Sequence, residues 1–415
     1  MTMEEQPCMS GMARDGAITL GSHGPAPEPA RRMGVKPETF CVSGYTPFDE
    51  RTGAVSAPLV LSATFHHPSL GESTGFDYSR GLNPTRLELE RTVAALEHAE
   101  YALAFSSGMA AVSCLAKILS PGDEAVVSAD LYGGTWRMFS AYERYGITFR
   151  YIDTSDLAAV RAAVTERTRL LFIETPSNPM MTVTDIAACA DIVHSARADG
   201  VCAVDNTFLT PYFQNPLDFG ADFVVHSGTK YLGGHHDLLA GFLVYSGRAN
   251  DEFFRLAQMT EGAALAPFDA WLCLRGIKTL PLRMRQSDEN ARSVAAFLRT
   301  VPQVERVFYP GFPDAPGHEL CARQARGFGG MISFYVRDGR LVPGILEGLR
   351  VIMFAESLGG VESLMTYPVT QTHNAIPPEL RERVGVNARL LRLSVGVEDA
   401  DDLIADLARA FAGAS

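Results

Sequence analysis

The sequence contains no apolar run long enough to cross a membrane, no dense block of Lys and Arg, and no two cysteines closer than thirteen residues. Each absence removes a class of protein. A span needs about 18 or more consecutive apolar residues, and the first 35 residues carry Met, Gly, Pro and charges but no apolar core of a signal peptide. With 36 Lys and Arg against 48 Asp and Glu, the net charge of -12 argues against nucleic acid and anionic membranes as partners. The seven cysteines, Cys8, Cys41, Cys114, Cys189, Cys202, Cys273 and Cys321, are odd in number and scattered. That excludes a disulfide framework or zinc ribbon, and a reducing, cytoplasmic setting is expected. No G-x-G-x-x-G follows a strand and no G-x-x-x-x-G-K-[ST] occurs, so dinucleotide and P-loop nucleotide sites have no support.

What is present is a globular composition, 47% apolar and 20% charged over 415 residues, long enough for two domains. Residues 1–36 read as a flexible tail, rich in Gly and Pro from Gly21 to Pro29. An extended arm from Ala57 to Phe65 leads to a helix from Arg86 to about His98, with Thr85 as its cap. Short apolar runs then alternate with helical ones. Strands are expected at Tyr101–Phe105, Glu124–Ser128, Ile147–Ile152, Leu170–Ile173, Val201–Val204, Phe223–Val225 and Gly241–Tyr245. Such alternation predicts an α/β domain over 37–281 with a mostly parallel sheet covered on both faces. A long helical stretch, Phe268–Arg299 with a break at Pro281, precedes a smaller α+β domain placed at 282–415.

Ligands of such sheets sit at the carboxyl ends of the strands. There stands Ser227-Gly228-Thr229-Lys230, whose lysine can condense with an aldehyde while hydroxyls and backbone N–H groups hold a phosphate. That is the chemistry of pyridoxal 5'-phosphate (PLP), although most lysines are solvated surface charges. Ser106-Ser107-Gly108-Met109 opens a helix and offers an anion its free N–H groups, or is a plain cap. Asp205, after a strand, can hold a pyridine nitrogen protonated or can cap the turn that follows. Tyr132 could stack on a flat ring, and Asn178 could donate to a phenolate or serve only as a turn residue. His235-His236-Asp237 lacks a clear third ligand, so a metal is not expected.

Together these segments resemble the Cys/Met-metabolism family of PLP enzymes. The resemblance runs from about residue 40 to 412, and is carried by Tyr78-Ser79-Arg80, Ser107-Gly108-Met109, Tyr132-Gly133-Gly134-Thr135, Glu174-Thr175-Pro176-Ser177-Asn178-Pro179, Asp205-Asn206-Thr207-Phe208 and His226-Ser227-Gly228-Thr229-Lys230. Glu356-Ser357-Leu358-Gly359-Gly360 and Leu391-Arg392-Leu393-Ser394 complete it. It implies the aspartate aminotransferase-like fold, fold type I. It also implies that Lys230 carries PLP, Asp205 pairs with the pyridinium and Tyr132 stacks on the ring. Gly108, Met109, Thr207, Ser227 and Thr229 would line the cofactor pocket, joined by Tyr78 and Arg80 from a neighbouring subunit in a dimer, usually assembled as a tetramer. Asn178 and Arg392 would hold the substrate carboxylate, with Ser357 positioning substrate and lysine.

Within the family the pattern looks closest to bacterial cystathionine γ-synthases, including those that accept O-acetylhomoserine. The implied reaction replaces the γ-substituent of an O-acylhomoserine by the sulfur of cysteine or sulfide. The alternatives are cystathionine γ- or β-lyase, then methionine γ-lyase, then an aminotransferase on the same fold. Family methionine γ-lyases typically have cysteine where Gly134 stands. Glu356 and Arg137 resemble residues that receive the distal end of the substrate, and Arg137 is equally readable as a helix-surface arginine.

Overall fold

The structure is a computed structural model and describes residues 34–247, 251–374 and 376–414. The tail expected at 1–36 lies, apart from its last three residues, outside the described residues, as does Cys8. Ordered helix begins at Pro37–Ser43, directly after the expected tail.

Seven apolar strands form the first sheet: β1 (Tyr101–Phe105), β2 (Glu124–Ser128), β3 (Thr148–Ile152), β4 (Thr168–Glu174), β5 (Val201–Asp205), β6 (Phe223–Ser227) and β7 (Gly241–Tyr245). Their order is β1-β7-β6-β5-β4-β2-β3. From β3 to β6 neighbours run parallel, and β7 alone runs against both of its neighbours, β1 and β6. Every residue of β2 and β7 is buried, as strands with both faces covered require. Helices Pro84–Leu96 and Pro267–Ile277 pack on one face, through Leu89, Val93, Cys273 and Ile277 against Phe242 and Val244. Gly108–Leu115 and Gly133–Tyr142 cover the other, with Val112, Leu115 and Phe139 against Leu103, Phe172 and Leu243.

The second sheet has five strands: β8 (Val304–Phe308), β9 (Met331–Val336), β10 (Met353–Phe354), β11 (Leu364–Thr366) and β12 (Leu390–Ser394). Its order is β10-β11-β12-β9-β8, antiparallel except between β10 and β11. Helices Leu280–Thr300, Val342–Gly348 and Ala400–Gly413 seal it with Val294, Leu298, Ile345, Leu403 and Leu407. The helix Leu280–Thr300 serves both cores, giving Leu280 and Met284 to the first and Ala291 to Leu298 to the second. The boundary placed at 281/282 therefore falls in the first turn of a shared helix.

Local expectations were revised in three places. Asn83, not Thr85, caps the helix Pro84–Leu96, its side chain accepting from Thr85 N and Arg86 N. Thr85 instead anchors the arm, donating to Pro58 O at 2.9 Å and accepting from Val60 N at 2.9 Å. Pro281 interrupts nothing: the break lies at Lys278-Thr279, and Pro281 occupies the first turn of the next helix, where a missing N–H costs no bond. The helix Asp251–Glu261 and the three-residue β11 had no counterpart in the pattern reading. The six described cysteines are all free and buried, and burial pushes thiols such as Cys41, Cys114 and Cys273 up to about 12, which leaves them inert.

Candidate active site

The carboxyl ends of β4, β5 and β6 put Glu174, Asp205 and Ser227 side by side, and Glu174 and Asp205 are direct partners in the β4/β5 register. Lys230 follows β6 in a turn, and its Nζ lies 2.7 Å from Ser357 Oγ of the second domain. Ser357 presents that hydroxyl from a left-handed backbone (φ +87°), a conformation that a non-glycine residue adopts only when held there. Burial, and after it the charge of Arg392, brings the Lys230 amine down from 10.5 to about 8, with Glu356 opposing. A free amine of that kind is both nucleophile and base.

Arg392, 1% exposed on β12, donates from Nη1 to Asn178 Oδ1 at 2.8 Å. Its Nη2 donates to Ser357 O at 2.9 Å and Thr366 Oγ1 at 3.0 Å. The buried Nε has no acceptor. Such a donor left over in a buried, fixed guanidinium is suited to a carboxylate arriving from outside. Burial lowers Arg392 to about 10, still charged at neutral pH.

On the opposite side, Asp205 Oδ1 accepts from Thr207 N at 3.0 Å and Thr207 Oγ1 at 2.5 Å, and Thr207 Oγ1 in turn accepts from Ser227 N at 2.9 Å. Burial raises Asp205, while the Thr207 bonds and the nearby His226 oppose that rise. Glu174 is raised well above the usual carboxylate range by burial and then by the Asp205 charge, so the pair carries one negative charge more readily than two. Glu174 Oε2 accepts from Tyr132 N at 3.0 Å and so fixes the residue whose half-exposed ring overlooks this edge. Ser107 caps the helix Gly108–Leu115 by accepting from Ala110 N at 3.2 Å. A Cβ on Gly108 would stand 3.1 Å from Ser227 Cα, so glycine here lets the helix entrance and the β6 turn approach closely as one small-residue cradle.

Most of the expected residues are thus joined. Lys230, Ser357, Arg392 and Asn178 form one hydrogen-bonded chain, while Asp205, Thr207 and Ser227 form a second. The Thr229 hydroxyl is held between the N–H and carbonyl of Ala240 at 3.0 and 3.3 Å, and Met109 Sδ meets Thr135 Oγ1 at 3.8 Å. Glu356 is exposed at the mouth, near enough for its charge to act on Lys230. Tyr78 and Arg80 lie exposed on the arm, the guanidinium 5.6 Å from the Tyr78 ring, and no hydrogen bond joins either to the lysine cluster within one chain. Arg137 lies exposed on the helix Gly133–Tyr142.

Glu174, Thr366 and His373 had no assigned role. Glu174 carried the same strand-end signal as Asp205, whereas Thr366 on a three-residue strand carried none. His373 donates from Nε2 to Asn178 O at 3.2 Å, and burial, then Arg392, lowers it to about 4, so it is neutral. His235 bonds Gly233 O, and no group of three metal-binding side chains occurs among the described residues. A separate cavity of about 950 Å3 lies beside this cluster, lined by Asp130, Tyr151, Ser177 and Phe308 among others; neither Lys230, Asp205 nor Arg392 borders it, so chemistry and not volume marks the site.

The residues present fit PLP: a depressed lysine amine for the aldehyde, a strand-end carboxylate for the ring nitrogen, and a glycine-lined helix entrance for the phosphate. Fold and site together define a PLP-dependent enzyme on the aminotransferase-like, fold type I scaffold. The chain belongs to the Cys/Met metabolism PLP-dependent enzyme family, whose pattern matches residues 38–412. It is 49% identical over 364 residues to the cystathionine gamma-synthase/O-acetylhomoserine (thiol)-lyase of Bacillus subtilis, covering 87% of this chain and 92% of that one. It is 45% identical over 377 residues to the cystathionine gamma-lyase of the same organism, covering 91% and 99%. Among solved structures, cystathionine gamma-lyase from Lactobacillus plantarum complexed with L-serine superposes with a TM-score of 0.89 at 43% identity, over 92% of this chain and 99% of that one. The protein is therefore a PLP enzyme of transsulfuration, acting on small amino acids.

Proposed function

We propose that the enzyme replaces the γ-acyloxy group of an O-acylhomoserine by the sulfur of cysteine, or of sulfide, in the cytoplasm. The Cγ–O bond breaks and a Cγ–S bond forms, and the thiol proton leaves with the carboxylic acid. The observation that carries the reading is an exposed Glu356 near enough to the part-buried Lys230 amine for its charge to act there; it serves substitution and elimination alike, and the direction rests on the relatives. A carboxylate at the mouth receives the ammonium group of incoming cysteine, while Arg392 holds the carboxylate of the first substrate further in. Gly134 beside Tyr132, and the acylhomoserine chemistry named for a 49% identical relative, support the same direction.

Bound PLP supplies an electron sink for charge developing at Cα. Lys230 Nζ, held by Ser357, is placed to take the proton from Cα; once it has handed that proton on and is a free amine again, it can take a second from Cβ, which lets the γ-group leave. Arg392, Asn178 and Thr366 keep the substrate carboxylate fixed while those protons move. Asp205, braced by Thr207, would hold the ring nitrogen, and Tyr132 would lie over the ring. Tyr78 and Arg80 would hold the phosphate of a second copy, which would make the working unit a dimer, assembled as a tetramer.

The second reading is the lyase direction, because Glu356 would hold the distal amine of cystathionine equally well and a 45% identical relative is a γ-lyase. Incubation with O-acetylhomoserine, O-succinylhomoserine or cystathionine, with and without cysteine or sulfide, distinguishes them by product mass. O-acetylhomoserine with cysteine is expected to give cystathionine faster than cystathionine alone is broken down. The reverse ranking makes the enzyme a lyase.

A further inference from the structure

Behind the cofactor edge lies a buried carboxylate that takes no part in the mechanism above. Glu97 ends the helix Pro84–Leu96 and is 0% exposed, a placement that is unfavourable for a carboxyl group unless it is hydrogen-bonded. Its Oε1 accepts from His226 Nε2 at 2.5 Å and from Asn206 Nδ2 at 2.9 Å. Its Oε2 faces Asn215 Nδ2 at 3.4 Å. His226 is 1% exposed and Asn206 0%. Asn206 is further locked to Gln214 by a reciprocal pair of bonds at 2.8 and 3.0 Å.

The two donors on Oε1 are next in sequence to cofactor-facing residues. Asn206 follows Asp205, and His226 precedes Ser227. Side chains alternate across a strand, so Asp205 and Ser227 look toward the cofactor side while Asn206 and His226 look back at Glu97. Thr207 stitches the same two strand ends in front, through Asp205 Oδ1 and Ser227 N. One carboxylate oxygen therefore ties the end of β5 to the end of β6 from behind.

We propose that Glu97 is a positioning residue for the cofactor, setting through Asn206 and His226 the separation between the ring-nitrogen carboxylate of Asp205 and the phosphate donors at Ser227. The proposal rests on the reading that Asp205 and Ser227 hold PLP. The cofactor's ring is rigid and its phosphate sits on a short arm with few rotatable bonds, so both ends are satisfied together only over a narrow range of spacing between the two strand ends. A misplacement of about 1 Å in an active-site frame costs on the order of 100-fold in rate.

The test is PLP titration of the apoenzyme, read by its visible absorption band, with folding followed separately by circular dichroism. Glu97→Ala is expected to raise the PLP Kd about tenfold or more at a temperature where the variant is folded. Glu97→Gln, which keeps an acceptor oxygen of the same shape, is expected to restore Kd to within about threefold of the parent. A folded Glu97→Ala with the parent Kd and spectrum overturns the proposal. If Glu97→Ala does not fold, Asn206→Ala removes one arm and leaves the Glu97–His226 pair; an unchanged Kd there overturns it equally. Lys230→Ala in the same titration isolates the underlying reading: loss of the parent band there upholds the PLP site, whereas its persistence refutes the lysine assignment and overturns the proposal with it, a result distinct from an unchanged Kd in Glu97→Ala.

Discussion

Lys230 owes its chemistry to its surroundings, and those surroundings can be titrated. Because burial and Arg392 bring its folded pKa down to about 8, the fraction of free amine reaches its midpoint near pH 8 and levels off above it. The rate at which the apoenzyme captures PLP is expected to follow that curve, measured by stopped-flow absorbance across a pH series. An unperturbed lysine would keep gaining rate toward 10.5. Arg392→Ala removes a positive neighbour and should move the midpoint upward; a midpoint that stays or falls contradicts the electrostatic account. Lys230, Asp205 and Asn178 were readable in the sequence because each follows or ends an apolar run, the place where a parallel sheet collects ligands, whereas Arg392, in the middle of β12, was expected only from the family resemblance. Glu97 was not, since a glutamate near a helix end reads as solvated until the fold folds Asn206 and His226 over it.

Elements were legible where one periodicity ran unopposed, and less so where neighbours decided. The parallel strands β2 to β6 stood out as short apolar runs. Thr85 and Asn83 are both good caps by type; the arm claimed the threonine and left the asparagine to the helix. The direction of β7 left no mark in its five apolar residues, because a strand buried on both faces looks alike either way round. Packing around β7 is tight enough to test. A Cβ on Gly241 would stand 2.1 Å from Ser107 O, at the cap of the phosphate-facing helix. Gly241→Ala is expected to destabilise the protein by about 1–3 kcal/mol, seen as a lower Tm, and to weaken PLP retention on gel filtration. A variant with unchanged Tm would mean that the strand and helix slide apart freely.

At the scale of the whole molecule, the arm is what a single chain leaves unfinished. Val55 is 80% exposed, Leu61 69% and Leu70 105%, apolar side chains on a segment that also carries Tyr78 and Arg80. A second copy covering them would conceal that surface and bring Arg80 to a phosphate. Arg80→Ala and Lys230→Ala subunits, each inactive or weak alone, should therefore regain activity on mixing, approaching one intact site in each mixed dimer. No recovery, with subunit exchange demonstrated by mass, argues that the site is complete within one chain. The antiparallel insertion of β7 between β1 and β6 has a consequence for the order of assembly. On a ribosome, β1 emerges about 140 residues before β7, the strand it pairs with among the described residues. Until β7 arrives, β1 and β6 both present open edges, and Lys230 already exists without a finished sheet beneath it. Chains truncated before Gly241 should thus be caught by chaperones or aggregate, and cofactor capture should begin only once Tyr245 has cleared the exit tunnel.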